Sequence, residues 1–366
     1  MARAHFQHAK ISALSTSVGP VVKRIDDEIE FYGGNAAQLE RIKKTIGLNE
    51  RRVVQFGTTT ADLCLHATRR LIAGGGLDIA AVDGLVFVTQ TPDYIQPCNA
   101  ALLHGRLGLS KDCAAFDVNL GCSGFVYGLY LANLMVEAGG CHNVLLMAGD
   151  TISLCVNPRD RAVAPLFGDA GSVALIKRSE EMELSWFALH TDGLGFDHII
   201  VPAGGFRRPH SPDTSFERSY TDGNYRAPEN LHMNGAEVFN FSIKEEPPAI
   251  RELLDFARIG TADVDHFIFH QANRYIIGNI ARRLKIPLGK APSQTVERYG
   301  NQSSASIPCT ICDAIAGEVR SSSRRLVLSG FGVGLSWASC LLSLGPLAYC
   351  QLNTYAEKSP ENSVKS

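Results

Sequence analysis

Asp117-Val118-Asn119-Leu120-Gly121-Cys122-Ser123-Gly124 joins an apolar run, 114–120, to a longer one, 125–137, and sets a cysteine between two glycines at the joint. The stretch reads as a strand running into a long apolar helix through a tight turn. A thiol at such a helix N-terminus meets unpaired backbone N–H groups and the positive end of the helix dipole, which favour thiolate over thiol. The flanking glycines allow the sharp turn and the close approach of a substrate. Cys122 is therefore a candidate nucleophile. Free cysteine is also among the most buried residue types, so a purely packing role stands beside the chemical one.

Outward from this unit, further strand-like runs at 84–90, 144–148, 173–177, 267–270 and 325–329 alternate with apolar-periodic segments such as 61–73 and 275–284. That alternation predicts an α/β protein with buried strands. A weak internal repeat accompanies it: Val82-Asp83-Gly84-Leu85-Val86-Phe87-Val88 resembles Val264-Asp265-His266-Phe267-Ile268-Phe269-His270. Gly121-Cys122 before a helix and a strand is likewise matched by Gly300-Asn301 before a helix and a strand. Two similar halves are expected, 1–178 carrying the cysteine and 179–350 carrying His270 and Asn301, followed by a polar tail, 351–366. Chance similarity between α/β units is the alternative.

The Gly/Pro-rich stretch 203–230 has little periodicity and is expected to form a long surface loop over the site. Asn234, with Glu237 three residues on, marks a helix start. The tail 357–366 is expected to be disordered.

With 366 residues, 45% of them hydrophobic and 20% charged, the chain can bury a large core or two fused ones. A net charge of -2 argues against a nucleic-acid binder, which would carry a basic stripe. No run reaches membrane-spanning length and the first residues lack the apolar core of a secretory signal, so a cytoplasmic protein is expected, with no membrane partner. The 10 cysteines are scattered through apolar segments, as reduced thiols would be. Cys309 and Cys312 have the spacing of half a zinc site without a second pair, so no metal is expected.

His270 closes an apolar run and Asn301 opens a helix. Separately, a core histidine and an N-cap would explain them. Together with Cys122 they offer a thiolate, an imidazole and a carboxamide, a set able to capture an acyl group as a thioester and polarise a second carbonyl. Asn adds no charge and supplies an N–H donor, which suits an enolate oxygen.

Gly121-Cys122-Ser123-Gly124-Phe125, His270-Gln271-Ala272-Asn273, Gly300-Asn301-Gln302-Ser303-Ser304-Ala305-Ser306-Ile307-Pro308 and Gly330-Phe331-Gly332-Val333-Gly334-Leu335-Ser336-Trp337 resemble, in order and spacing, the β-ketoacyl-acyl carrier protein synthase III family. Thr91-Pro92-Asp93 and Phe167-Gly168-Asp169-Ala170-Gly171 add to the resemblance, which covers roughly 10–345. It implies a thiolase-like fold, two duplicated halves in a layered α-β-α-β-α core, and a homodimer. It also implies an acyltransferase performing a decarboxylative Claisen condensation. Cys122 would take a starter from acyl-CoA, and malonyl-acyl carrier protein would supply the attacking carbanion. His270 and Asn301 would stabilise the enolate, with the backbone N–H groups of Cys122 and Val333 as oxyanion hole and no cofactor needed. Val333 stands where many members have glycine, so that role requires a negative φ there.

Further residues follow from the resemblance alone. Arg41 takes the place of a tryptophan that contacts CoA, and Arg161 matches an arginine near the CoA entrance. Gln96, before Pro97, would line the acyl pocket of the partner subunit and hints at a starter other than acetyl, and Phe331 would border the substrate. Arg274, Arg282, Arg283 and Lys285 give one helix a basic face for an acidic carrier protein, or simply a solvated one. Acyl transfer without decarboxylation, a 3-hydroxy-3-methylglutaryl-CoA synthase-like condensation, a thiol hydrolase and a non-catalytic partner subunit are the competing readings. The second lacks its glutamate, the third its local signatures, and the fourth would be expected to have lost one of Cys122, His270 and Asn301.

Overall fold

The computed structural model describes residues 2–32, 34–221 and 223–356. Two sheets hold the strands β1 (Ala2–Phe6), β2 (Ala9–Val18), β3 (Gly84–Val88), β4 (Ala114–Val118), β5 (Asn143–Asp150), β6 (Ala170–Arg178), β7 (Ser185–Thr191), β8 (His266–Phe269), β9 (Arg324–Gly332), β10 (Ser336–Leu344) and β11 (Tyr349–Thr354). The first sheet runs β11-β2-β6-β5-β3-β4 and the second β1-β7-β10-β9-β8. The main helices are α1 (Ala36–Ile46), α2 (Thr60–Ala73), α3 (Asn99–Leu107), α4 (Gly124–Glu137), α5 (Gly235–Ala257), α6 (Arg274–Leu284) and α7 (Ser306–Ala314).

Strands with the repeated sequence occupy equivalent places. β2-β6-β5-β3 are joined antiparallel, antiparallel and parallel, and β7-β10-β9-β8 are joined the same way. The ends of the chain cross over: β1 pairs with β7 of the second sheet and β11 lies parallel to β2 of the first. The expected tail from 351 is thus corrected, because residues 351–354 complete a strand whose N–H and C=O groups need the ladder. The remainder of that tail, 357–366, lies outside the described residues.

Alternation along each strand divides the core into layers. In β3, Val86 and Val88 face a central cluster with Phe125, Val126 and Leu129 of α4, Ile307 and Ile311 of α7, and Leu326 and Leu328 of β9. Leu85 and Phe87 point the other way, to Leu65 and Leu71 of α2 and Leu103 of α3. On the far side, Phe267 and Phe269 of β8 meet Ile250 and Leu253 of α5 and Ile277 and Ile280 of α6. The order is α-β-α-β-α. The middle layer explains why α4 is apolar around most of its circumference, since a helix between two sheets has no wet face. Cys309 and Cys312 are buried on α7, and the Cys312 Sγ lies 3.8 Å from that of Cys350 in β11. Among the described residues, no helix is long and apolar enough to cross a membrane.

The stretch 203–230 is less irregular than expected. It contains a short helix, Pro212–Ser215, and a two-stranded ribbon, Arg218–Ser219 with Tyr225–Arg226. Its base is clamped by Ile199–Ile200 pairing with His232–Met233, just before Asn234 caps α5 by accepting from the Glu237 N–H.

One buried group is out of keeping with this core. Glu246 of α5 is fully buried, and its Oε2 accepts from the Ser329 hydroxyl at 2.7 Å while Oε1 has no partner. Burial pushes its carboxyl up from 4.5 to about 8, partly offset by the Ser329 hydrogen bond. Because the folded-state value lies above the unfolded one, the group costs stability progressively as pH rises from 4.5 to about 8. Glu246→Gln, which keeps the shape without the charge, is expected to gain on the parent protein by up to about 1.4 kcal/mol per pH unit across that window. Urea unfolding of both proteins at pH 5, 6.5 and 8 checks this; an unchanged difference across the series contradicts it.

Candidate active site

β4 ends at Val118, the chain turns through 119–123, and α4 begins at Gly124 with Ser123 as its cap residue. Cys122 is buried in this turn, at 8% exposure. The backbone of β9 lies directly against it. A Cβ on Gly332 would stand 2.8 Å from both Cβ and Sγ of Cys122, and one on Gly330 would stand 2.6 Å from the Cys122 carbonyl oxygen. Only glycine permits such an approach, which is the physical content of the Gly330-Phe331-Gly332 motif. Across the two halves, the Ser123 and Ser336 hydroxyls are 2.7 Å apart.

His270 follows β8. Its N–H donates to the Ser329 carbonyl at 2.7 Å, and its Nδ1 lies 2.7 Å from the Ser306 hydroxyl. Burial drives the imidazole down to about 3, with the Ser303 carbonyl acting in the opposite sense, so the ring is neutral over the physiological range. Asn301 is held by its backbone: its N–H donates to Leu166 O at 2.8 Å, and its carbonyl accepts from the Gly168 N–H at 3.0 Å. Its Oδ1 accepts from the Ser303 N–H at 2.9 Å. With the oxygen so engaged, the NH2 is the group the side chain offers to a ligand. Asn301 is thus set by a loop-to-loop bridge rather than serving as a helix N-cap.

The sulfur is not the thiolate that its helix position suggested. Burial pushes the Cys122 thiol up to about 11, and the nearby Asp150 carboxyl pushes the same way. The Val333 N–H, the Ser303 hydroxyl and the backbone of Cys122 itself pull in the other direction without prevailing. Desolvation of a fully enclosed sulfur outweighs the helix-end field. Val333 meets its backbone condition: among the described residues, positive φ outside glycine occurs only at Arg258, Lys285 and Ser303.

Asp150, at the end of β5, escaped the sequence reading, although its place at the close of an apolar strand run was a signal. It is fully buried. Its Oδ1 accepts from the Gln90 N–H at 2.7 Å and the Thr89 hydroxyl at 3.2 Å; its Oδ2 accepts from the Ser304 N–H at 3.1 Å and hydroxyl at 2.8 Å. Ser303 and Ser306 were visible in the Asn301 motif, but their partners were not.

Cys122, His270, Asn301, Phe331 and Val333 all line one cavity of about 510 Å³. The rest of its wall is mainly apolar, including Ile152, Leu166, Ile199, Leu231, Phe239 and Ile276, and among the described residues it includes no Asp, Glu, Lys or Arg. Val201, Leu231 and Met233 contribute from the two ends of the 203–230 stretch, whose body does not reach the cavity. Cys155, not singled out from the sequence, also lines it. Arg41, Arg161 and Gln96 lie elsewhere. Arg41 is on the exposed side of α1, Arg161 bonds to Asn224 through Nε at 3.2 Å, and Gln96 is in an exposed segment beside Ile95. On α6, all four basic residues are exposed. Arg274 pairs with Glu297 at 2.7 Å, Arg282 donates to Asn279, Arg283 donates to the Ile243 carbonyl and Lys285 ends the helix. Asn273 and Ile276 at the start of α6 line the cavity, so this helix begins at its wall.

Two family models match, one described as 3-oxoacyl-[acyl-carrier-protein] synthase III over residues 116–193 and one as its C-terminal part over residues 254–344. A Campylobacter jejuni protein assigned provisionally as 3-oxoacyl-[acyl-carrier-protein] synthase 3 is 36% identical, over 94% of this chain and 96% of its own. The β-ketoacyl-[acyl-carrier-protein] synthase III of Roseiflexus castenholzii is 37% identical, over 83% of this chain and 89% of its own. The crystal structure of a 3-oxoacyl-(acyl-carrier protein) synthase from Burkholderia xenovorans LB400 superposes with a TM-score of 0.90 at 35% identity, covering 97% of this chain and 99% of that one. With its thiolase-like layers and its glycine-backed cysteine in a shared cavity, the chain belongs to the 3-oxoacyl-[acyl-carrier-protein] synthase III family of condensing enzymes.

Proposed function

We propose that the protein condenses an acyl-CoA starter with malonyl-acyl carrier protein, releasing carbon dioxide and forming a 3-oxoacyl-acyl carrier protein. The observation carrying this reading is that Cys122, His270 and Asn301, drawn from both halves of the chain, line one uncharged cavity. In the first step the Cys122 sulfur attacks the starter thioester, its proton passes to the departing CoA sulfur, and an acyl-Cys122 thioester remains. With the thiol held up and the imidazole held down, a separated thiolate–imidazolium pair is not the resting state, so the proton leaves as the carbon–sulfur bond forms. The N–H groups of Cys122 and Val333 receive the developing oxyanion.

In the second step the malonyl carboxylate leaves as carbon dioxide and the enolate carbon attacks the acyl group, expelling the Cys122 thiolate, which takes up a proton. When the Ser306 hydroxyl donates to Nδ1, the neutral ring carries its proton on Nε2, and that N–H joins the Asn301 NH2 on the thioester oxygen. No cofactor enters either step. The apolar wall suits a starter longer than acetyl. Arg41 and Arg161 are assigned to CoA, the basic face of α6 to the carrier protein, and Gln96 to the partner's pocket in a homodimer.

Intact-mass labelling with a panel of acyl-CoAs, followed by malonyl-acyl carrier protein, tests the proposal. Cys122→Ala is expected to abolish labelling. His270→Ala and Asn301→Ala are expected to retain labelling and to lose about 10²–10³ in condensation rate. Full product formation by His270→Ala would remove that residue from the mechanism.

The elevated thiol value sets a pH dependence. Since only the thiolate is alkylated, iodoacetamide modification of Cys122 is expected to rise about tenfold per pH unit from pH 7 to 9 without levelling off. Peptide mass spectrometry at each pH measures it, and a plateau below pH 8 would show the sulfur to be ionised after all.

A further inference from the structure

Behind the loop that carries Asn301 lies a second cavity of about 330 Å³, sharing no lining residue with the first. It is bounded by Cys350–Thr354 of β11, by Cys312 and Asp313 of α7, and by Tyr299 and Arg52. Its size falls at the lower end of the range for small-molecule sites, roughly 300–1,000 Å³. The charges around it do not cancel in the usual way. Asp313 is taken up by Arg298 and by the Thr295 hydroxyl. Arg51, next in sequence, is bound at both ends of its fork by Glu28. Arg52 forms no ion pair among the described residues, and its Nε is buried without a hydrogen-bond partner. A buried guanidinium nitrogen without a hydrogen-bond partner is costly, and an acceptor held on the same guanidinium would offset part of that cost.

We propose that this cavity is a second ligand site, which takes a small anion bearing a phosphate or carboxylate group on the Arg52 guanidinium. The planar fork matches both groups in a way that a lysine would not. Tyr299 also lines the cavity. The site joins structurally to the Asn301 loop: the Arg52 carbonyl accepts from the Asp169 N–H at 2.7 Å, and Tyr299 is two residues before Asn301. A ligand drawing Arg52 towards Tyr299 would therefore bear on the loop that sets the carboxamide.

Calorimetric titration at constant ionic strength, using inorganic phosphate in one arm and succinate in the other, tests the site and separates the two chemistries. Saturable binding of at least one probe is expected in the parent protein and, unchanged, in Cys122→Ala. Arg52→Gln is expected to weaken it at least about tenfold. Ala316→Glu, which places a negative charge on the wall without touching Arg52, is expected to abolish binding even if Arg52→Gln should fold poorly. Absence of saturable heat with both probes, or an affinity unaltered by Ala316→Glu, would overturn the proposal. So would loss of binding in Cys122→Ala, which would place the anion in the catalytic cavity instead.

Discussion

The arrangement depends on one buried carboxyl. Asp150 closes β5 in the first half and reaches the amide of Gln90 with one oxygen and the amide and hydroxyl of Ser304 with the other. It is thereby shared between the sheet that leads to Cys122 and the loop that follows Asn301. Among the described residues no cation compensates it. The N–H groups of Gln90 and Ser304 and the hydroxyls of Thr89 and Ser304 do so instead, and burial still raises its pKa. A group of this kind leaves little tolerance in position, because displacing either half strands a charged or polar oxygen in the core. The separation between sulfur and carboxamide is thus set by a bond belonging to neither.

The duplicated strand order explains why the cavity forms where it does. In each half, parallel strands deliver the chain at their C-terminal ends, and the two central helices, α4 and α7, pack between the sheets. The turns that open those helices therefore face each other across the pseudo-symmetric centre. One carries Cys122 and the other follows Asn301. His270 arrives from the end of β8, the counterpart of β3.

Much of this was legible in the residues themselves. The buried strands announced themselves as short apolar runs, the repeat at 82–88 and 264–270 pointed to equivalent strands, and the glycines around Cys122 marked a close backbone approach. What periodicity could not convey was the sign of the sulfur's pKa shift. The helix end is a local property, whereas enclosure by Gly332, Val333 and Phe331 is assembled from more than two hundred residues away in sequence. The ladder taken up by residues 349–354 was equally hidden, since a short mixed segment resembles a tail until its partner β2 is known. The surface residues Arg41, Arg161 and Gln96 came from resemblance alone, and no physical pattern in the sequence ties them to the cavity.

The crossing of the chain ends bears on how the molecule is made. During synthesis the first half emerges with the edge of β2 unpaired, and its neighbour β11 becomes available only after the second half has been made. Conversely, β1 must wait for β7 of the other sheet. Neither half can become a finished domain before the other exists. Completing both sheets therefore requires both halves of the chain, and a chain cut between them would leave the edge of β2 open to pair with another strand.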